Sequence, residues 1–289
     1  MQANRELWNY GTGERVWVGK YKNSHNLPHW HDDCELIFVE SGELDVFFDG
    51  KTYTLKRGNA MFLCGGQVHC MIAKEGGVVL TTIVFHYELI KRYFKGYSLT
   101  TPVLCGTYPI QETYFVLMEE LQNKKNFYRE AVEQVLTGLM LQIFRGEELV
   151  PKAQRNETHE EFKKLLDEIG IHFEFYTLET AARFMNMNVS YFSRYFHLSA
   201  GITFSKYLNY VKVENAVSML KERKYTVTEI AVSCGFGTIR NFNRTFKALT
   251  GYAPTEMPMV FQFSSEFINK GLRSEDPTLS DCELLESSR

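Results

Sequence analysis

Several features that mark membrane, secreted or metal-knuckle proteins are missing from this sequence. No apolar run approaches the roughly 18 residues needed to cross a bilayer. The opening Met1-Gln2-Ala3-Asn4-Arg5-Glu6 lacks the basic-then-apolar pattern of a secretory signal, so a cytoplasmic location is expected. Six cysteines, Cys34, Cys64, Cys70, Cys105, Cys234 and Cys282, are scattered. No pair has metal-knuckle or redox spacing, and reduced thiols are the expectation. There is no phosphate loop, dinucleotide fingerprint, or Ser/His/Asp or Cys/His catalytic set, which argues against most enzyme classes. A strong excess of one charge is also missing: the formal net charge is -3, which taken alone argues against a nucleic-acid partner.

The distribution of charge says more than its sum. Between Thr177 and Pro254 there are ten basic residues and four acidic ones, a surplus of six positive charges, so the rest of the chain is net acidic. A basic module beside acidic neighbours suits a DNA-binding unit whose other parts do not adhere to DNA. The 289 residues suffice for two domains with their own cores, and 22 Phe and 16 Tyr are available to fill them.

The first ninety residues have the signature of strands. Leu36-Ile37-Phe38-Val39 is a short apolar run ending at Gly42. Leu44 to Phe48 and Thr52 to Leu55 flank Asp49-Gly50-Lys51, a hairpin signal because Gly supplies the positive φ of the turn. Val78 to Phe85 is a further β-branched run. Many short strands with Gly-rich turns predict a small barrel or sandwich. From Tyr114 the period changes, and Val132, Val135, Leu136, Leu139, Met140 and Ile143 follow the spacing of a helix with one apolar face. Tyr114 to Leu121 reads as helical too. These helices are expected to pack on the barrel or to pair with a second subunit. Residues 151–159 are polar and predict a linker. Residues 160–258 are helical throughout, and 259–289 form a tail expected to be poorly ordered at its end.

An internal repeat lies in the helical part. Phe192-Ser193-Arg194-Tyr195-Phe196-His197, then Gly201, recurs fifty residues later as Phe242-Asn243-Arg244-Thr245-Phe246-Lys247, then Gly251. Helix-turn-helix geometry explains the pattern. Ala182 and Ala231 let two helices approach closely. Asn186 and Gly235 tolerate the left-handed backbone that ends the first helix of each unit. Asn188 and Thr238 are N-caps for the second. Phe192 and Phe196, and Phe242 and Phe246, stand at i and i+4 and face the core. Thr226-x-x-Glu229 is a capping box. Phe204, Leu208, Val211 and Leu220 form a stripe on a long helix between the units.

Ile230-Ala231, Gly235-Phe236, Phe242, Arg244, Phe246-Lys247, Gly251 and Pro254 resemble the signature of the AraC family of transcription regulators, over about a hundred residues with the weaker first unit included. The sequence departs from the family's habit at Lys212, where Arg is frequent, at His197, where Lys is common, and at Asn241, often aromatic. The resemblance implies that the second helix of each unit enters the major groove on one face of double-stranded DNA. Base-edge candidates are then Ser190, Tyr191, Arg240 and Asn241, the last two suited to guanine and adenine. Arg194, Arg244 and Lys247 are expected on phosphates or backbone carbonyls instead.

His29-Trp30-His31-Asp32-Asp33-Cys34-Glu35, followed by Gly42, resembles the first motif of cupin barrels, and Gly58, then Gly66-Gln67-Val68-His69, the second, with Cys64 where Pro is common. On a strand His29 and His31 share a face that Glu35 can join, with His69 contributed from the facing strand. The candidate effector pocket is therefore His29, Trp30, His31, Glu35 and His69. Polar side chains there would bond sugar hydroxyls, and Trp30 would cover a sugar face. A divalent metal on His29, His31, Glu35 and His69 is the competing occupant, and a structural hydrogen-bonded cluster is a third. The other histidines, His25, His86, His159 and His172, have no spacing that argues for ligation.

The expected architecture is an all-β cupin-like sensor barrel (1–100) with accessory helices in a packing or dimerisation segment (101–150), a linker (151–159), an all-α double helix-turn-helix domain (160–258) and the tail. The expected function is that of a ligand-responsive activator of carbohydrate uptake or metabolism genes. It would work as a homodimer with DNA, a small effector and RNA polymerase as partners, without a required cofactor and without enzymatic activity. The alternatives are a metal-dependent cupin enzyme carrying a DNA-binding domain, and a regulator controlled by a protein partner.

Overall fold

The computed structural model describes residues 10, 12–24, 26, 28–48, 50–74, 76–151, 157–259 and 283–288. The N-terminal half is built from β1 (Val16–Lys22), β2 (Cys34–Ser41), β3 (Glu43–Phe48), β4 (Lys51–Lys56), β5 (Ala60–Leu63), β6 (His69–Ala73) and β7 (Val79–Phe85). β3 and β4 pair antiparallel from Glu43–Lys56 to Phe48–Lys51, the hairpin expected around Gly50, whose φ is +70°. β3 also pairs with β6, giving a three-stranded sheet β4-β3-β6. β1, β7, β2 and β5 lie side by side in the second sheet, all antiparallel. Ile37, Val39, Leu44, Val46, Leu55, Met61, Leu63 and Leu80 fill the space between the sheets. Alternation sends Leu36, Phe62, Ile83 and Phe85 to the opposite face.

That outer face is covered by helices. After the short α1 (Lys91–Phe94) and β8 (Tyr97–Leu99), α2 (Ile110–Asn123) and α3 (Tyr128–Gly146) pack on it, and β9 (Leu149–Pro151) pairs back to β8. The stripe Val132, Leu136, Leu139, Met140 and Ile143 is buried here, with Val135 partly buried. The apolar face invoked for a second subunit is therefore occupied by the chain's own sheet.

The C-terminal half consists of α4 (Glu157–His172), α5 (Leu178–Phe184), α6 (Val189–Ala200), α7 (Phe204–Glu222), α8 (Val227–Ser233) and α9 (Ile239–Thr250). α4 starts at Glu157, within the segment expected to be a linker; 152–156 lie outside the described residues. Acidic Glu157 and Glu160 in its first turn complement the helix dipole. Phe162, Leu165, Leu166 and Ile169 of α4 join Phe192, Phe196, Phe204, Tyr207, Phe242 and Phe246 in one core. Of the expected stripe on α7, Phe204, Leu208 and Val211 are buried, whereas Leu220 is only partly so.

The tail differs from expectation. β10 (Glu283–Ser287) pairs antiparallel with β1 and so extends the larger sheet to β10-β1-β7-β2-β5. Ser288 is tied to Val18 twice, its N–H donating to the Val18 carbonyl at 2.9 Å and its Oγ accepting from the Val18 N–H at 3.2 Å. Lys20 on β1 bridges Glu286 at 3.2 Å and Glu40 at 3.1 Å. The tail is held because β1 offers it a free edge and because these charges sit on it. Residues 260–282 of the expected tail lie outside the described residues.

Candidate DNA-binding helices and sensor cluster

Each helix-turn-helix unit is set by a few local residues. In the first, Asn186 adopts φ +53° after α5, and the Asn188 side chain accepts from the Tyr191 N–H to start α6. In the second, Gly235 has φ +68° after α8, and the Thr238 hydroxyl accepts from the Asn241 N–H to start α9. A Cβ at Gly235 would come within 2.5 Å of the Glu174 carbonyl oxygen, so close approach as well as φ demands glycine there. Ala182 and Ala231 are buried where the helices meet. The Thr226–Glu229 capping box closes the start of α8. Lys212, a departure from the family's habit, ties α7 to the second turn, its Nζ donating to the Gly235 carbonyl at 2.8 Å. Burial lowers the pKa of this ammonium.

Ser190, Tyr191 and Arg194 are exposed on α6, and Arg240, Asn241, Arg244 and Lys247 on α9. The guanidinium of Arg244 donates to Asn241 Oδ1 at 3.0 Å, and that of Arg194 lies 5.8 Å from the Tyr191 ring centre. The repeat therefore places an i, i+3 pair of an arginine and a planar side chain on each second helix.

The sensor residues meet in the N-terminal half. His29 pairs with His69 through reciprocal backbone bonds of 3.0 and 2.9 Å, and Glu35 is the second residue of β2. His31 lies outside any strand, brought back by the bend at Asp32 and Asp33, so the cluster is assembled by a bridge and a bend instead of one continuous strand. His29, His31, Glu35 and His69 are 1–6 % exposed. Ring centres lie 4.3 Å apart for His29 and His69 and 5.1 Å for His31 and His69. Glu35 Oε2 is 3.0 Å from His69 Nε2 and 3.4 Å from His31 Nε2.

Protonation follows from the partners. His69 Nδ1 faces the Gln67 carbonyl and His31 Nδ1 the Asp33 carbonyl, both at 2.9 Å. A carbonyl only accepts, so each Nδ1 carries the proton. In a neutral ring Nε2 is then an acceptor facing the Glu35 carboxylate, and two acceptors repel. Either an imidazolium or a cation between them resolves the conflict. Burial pushes the Glu35 carboxyl up, but the bonds from His31 and His69 outweigh it and hold the group well below its usual range. The three histidines each offer a nitrogen within 4.8 Å of the others. With Glu35 this donor set fits Zn, Fe, Mn or Ni.

Trp30 does not join that group. It belongs with Val68 to the core of the C-terminal half, and Lys163 Nζ of α4 stands 4.6 Å from its ring centre, with Glu160 3.3 Å from the same ammonium. Around it, Cys70 Sγ donates to the Ala200 carbonyl at 3.0 Å, and Val68 N–H makes a long 3.5 Å bond to His159 Nε2. α6 lies against β3, β4 and β6, and Gly201, at φ +69°, caps it against the Phe47 ring. Sequence reading missed Lys163, His159 and Ala200, since no motif marks a contact between two halves. A separate, partly open cleft of about 80 Å³ lies near α1 and β8, lined by residues including Phe62, Cys64, Gln67 and Phe94.

Two joined parts, one a sheet-built sensor and the other a pair of helix-turn-helix units, define a DNA-binding transcription regulator. The sequence model described as an AraC-like ligand binding domain matches residues 18–140, and that described as a helix-turn-helix domain matches 181–258. The chain belongs to the AraC family of transcription regulators. It is similar to the HTH-type transcriptional activator RhaS of Klebsiella pneumoniae (strain 342), 26% identical over 243 residues that cover 79% of this chain and 86% of that one. RhaS of Enterobacter sp. (strain 638) is 24% identical over 242 residues, with the same coverage. Among solved structures, ToxT from Vibrio cholerae has 14% identity and a TM-score of 0.40, covering 84% of this chain and 97% of that one. The cupin-enzyme alternative is set aside, since the relatives are activators. No described helix is long and apolar enough to cross a membrane.

Proposed function

We propose that this regulator is an activator that reads DNA with α6 and α9 and senses a small ligand at His29, His31, Glu35 and His69. Ser190 and Tyr191, and Arg240 and Asn241, are the base-edge residues. Arg194, Arg244 and Lys247 hold phosphates or neighbouring polar groups. The carrying observation is the shared core: Trp30, between His29 and His31, and Val68, beside His69, are packed among the DNA-binding helices. A ligand that moves the histidines therefore moves residues that support α4 and α6. Such coupling is reciprocal, so DNA must raise or lower ligand affinity by the same factor.

The family resemblance favours a carbohydrate effector, and hence genes of carbohydrate uptake or use. The named relatives favour activation, which brings RNA polymerase in as a partner. A second reading has its own observation. The cluster is buried, the Nδ1 atoms of His31 and His69 face carbonyls, their Nε2 atoms meet the Glu35 carboxylate, and a His29 nitrogen lies within 4.8 Å of theirs, an arrangement that suits a divalent metal. A homodimer is proposed on family habit, and light scattering tests it, a monomer mass being the contrary result. For the ligand, a thermal-shift screen of sugars, sugar acids, amino acids and divalent metals is decisive. A ligand at a hundred times its dissociation constant adds roughly 2.7 kcal/mol of stability. A sugar response lost in His31→Ala supports the first reading, and a response to metal alone supports the second. A response to neither turns the assignment toward a protein partner.

A further inference from the structure

Two of the scattered cysteines meet in the fold. Antiparallel pairing sets Glu35 of β2 opposite Leu63 of β5, and one step further sets Cys34 opposite Cys64. Burial raises the pKa of the Cys34 thiol, and the neighbouring Cys64 side chain raises it further. Residues directly opposite in an antiparallel pair have Cα atoms about 4.5–5.5 Å apart, within the span a disulfide bridges. The surrounding backbone keeps them there. Gly66 N–H donates to the His31 carbonyl at 2.6 Å, Cys64 N–H donates to Gln67 Oε1 at 3.1 Å, and a Cβ on Gly65 would collide with the Asp32 carbonyl. Cys34 is fully buried, whereas Cys64 is partly exposed and lines the cleft with Phe62, Gln67 and Phe94. One thiol is thus reachable by a small solute, and its neighbour across the strand pair is shielded.

We propose that Cys34 and Cys64 form an oxidation site for a small peroxide, with Cys64 the attacking sulfur and Cys34 the resolving one. The Cys64 thiolate attacks one peroxide oxygen. The O–O bond breaks, leaving a sulfenic acid on Cys64, and the second oxygen departs as hydroxide, which takes up a proton to become water. The Cys34 sulfur then attacks Cys64, the S–O bond breaks, an S–S bond forms, and a second water leaves with the Cys34 proton. The two thiols lose two electrons in total, and the peroxide gains them. A small thiol reductant reverses the bond by exchange. The bridge would tie β2 to the segment that leads through Gln67 to His69, beside Glu35. The chemistry is independent of what the histidine cluster binds.

The test uses the full-length reduced protein with hydrogen peroxide as the probe. After exposure, remaining thiols are alkylated under denaturing conditions, and peptides are mapped by mass spectrometry without reductant. The expected result is one linked peptide joining Cys34 to Cys64, absent in Cys64→Ser and reversed by dithiothreitol. In Cys34→Ala the sulfenic acid on Cys64 should persist and be trapped by dimedone. If that variant does not fold, the wild-type map still decides. Recovery of both cysteines as alkylated thiols after peroxide, or oxidation confined to the exposed Cys105, overturns the proposal.

Discussion

Arg240 carries the sharpest expectation at the scale of single residues. It is exposed at the second position of α9, where a guanidinium can reach guanine edges. Arg240→Ala is expected to weaken one specific site by roughly 1–3 kcal/mol and to leave the fold intact. Fluorescence anisotropy across a panel of sequences checks this, since a loss equal on every sequence makes Arg240 a phosphate contact. Trp30 is the opposite case: its ring is core, so Trp30→Ala should cost about 3–5 kcal/mol of stability in urea unfolding. A change in ligand response with unchanged stability would return Trp30 to the pocket. Glu147 gives a pH signature. Burial opposes ionisation, but its carboxylate accepts from the N–H groups of Gly106 and Cys105 and from Tyr108, and its pKa falls below the ordinary 4.5. A lowered carboxyl pKa stabilises the fold above its unfolded value and loses that contribution on acidification. Glu147→Gln should therefore flatten the acid limb of a stability-versus-pH curve below about pH 4.5, and an unchanged limb would contradict the assignment.

Among elements, legibility in the sequence tracks how local each one is. The helix-turn-helix units are readable because a cap, a left-handed residue, a capping box and an i, i+4 Phe pair are all short-range. Thr238→Ala should accordingly destabilise α9 by about 1 kcal/mol, measurable by denaturant unfolding, with a neutral result counting against the cap. The β3–β4 hairpin is readable from Gly50 for the same reason. The stripe on α3 announces a helix but not its partner, because an apolar face is equally suited to a sheet or to a second subunit. Of the sensor group, four residues converge as the motif implies. Trp30 departs because successive residues of an extended segment point to opposite sides, so it faces away from His29 and His31 toward α4. β10 is unreadable: Leu284-Leu285 among acids carries no strand signal, and its partner β1 lies some 260 residues earlier. Removing 283–289 bares the edge of β1. The truncated protein should melt at lower temperature and self-associate more readily, as calorimetry and light scattering would show; unchanged behaviour would make the strand dispensable.

The whole molecule is two functional parts with one continuous contact. Trp30, Val68, Cys70 and Phe47 of the sheets meet Lys163, Ala200 and Gly201 of the helices, so the first helix-turn-helix unit rests on the sensor, and among the described residues α6 packs on β3, β4 and β6 far more than α8 or α9 do. That asymmetry predicts that ligand binding alters contacts made by α6 more than those made by α9. The surplus positive charge lies with the helices, so DNA affinity should fall steeply with salt. Whether both units read specific DNA is decided by hydroxyl-radical footprinting on genomic fragments selected for binding. Two protected segments about 10–10.5 base pairs apart on one face of the duplex are expected, with protection at one of them lost in Arg240→Ala. Binding that protects no defined sequence, and that responds to salt alone, would overturn the assignment of α6 and α9 as reading helices.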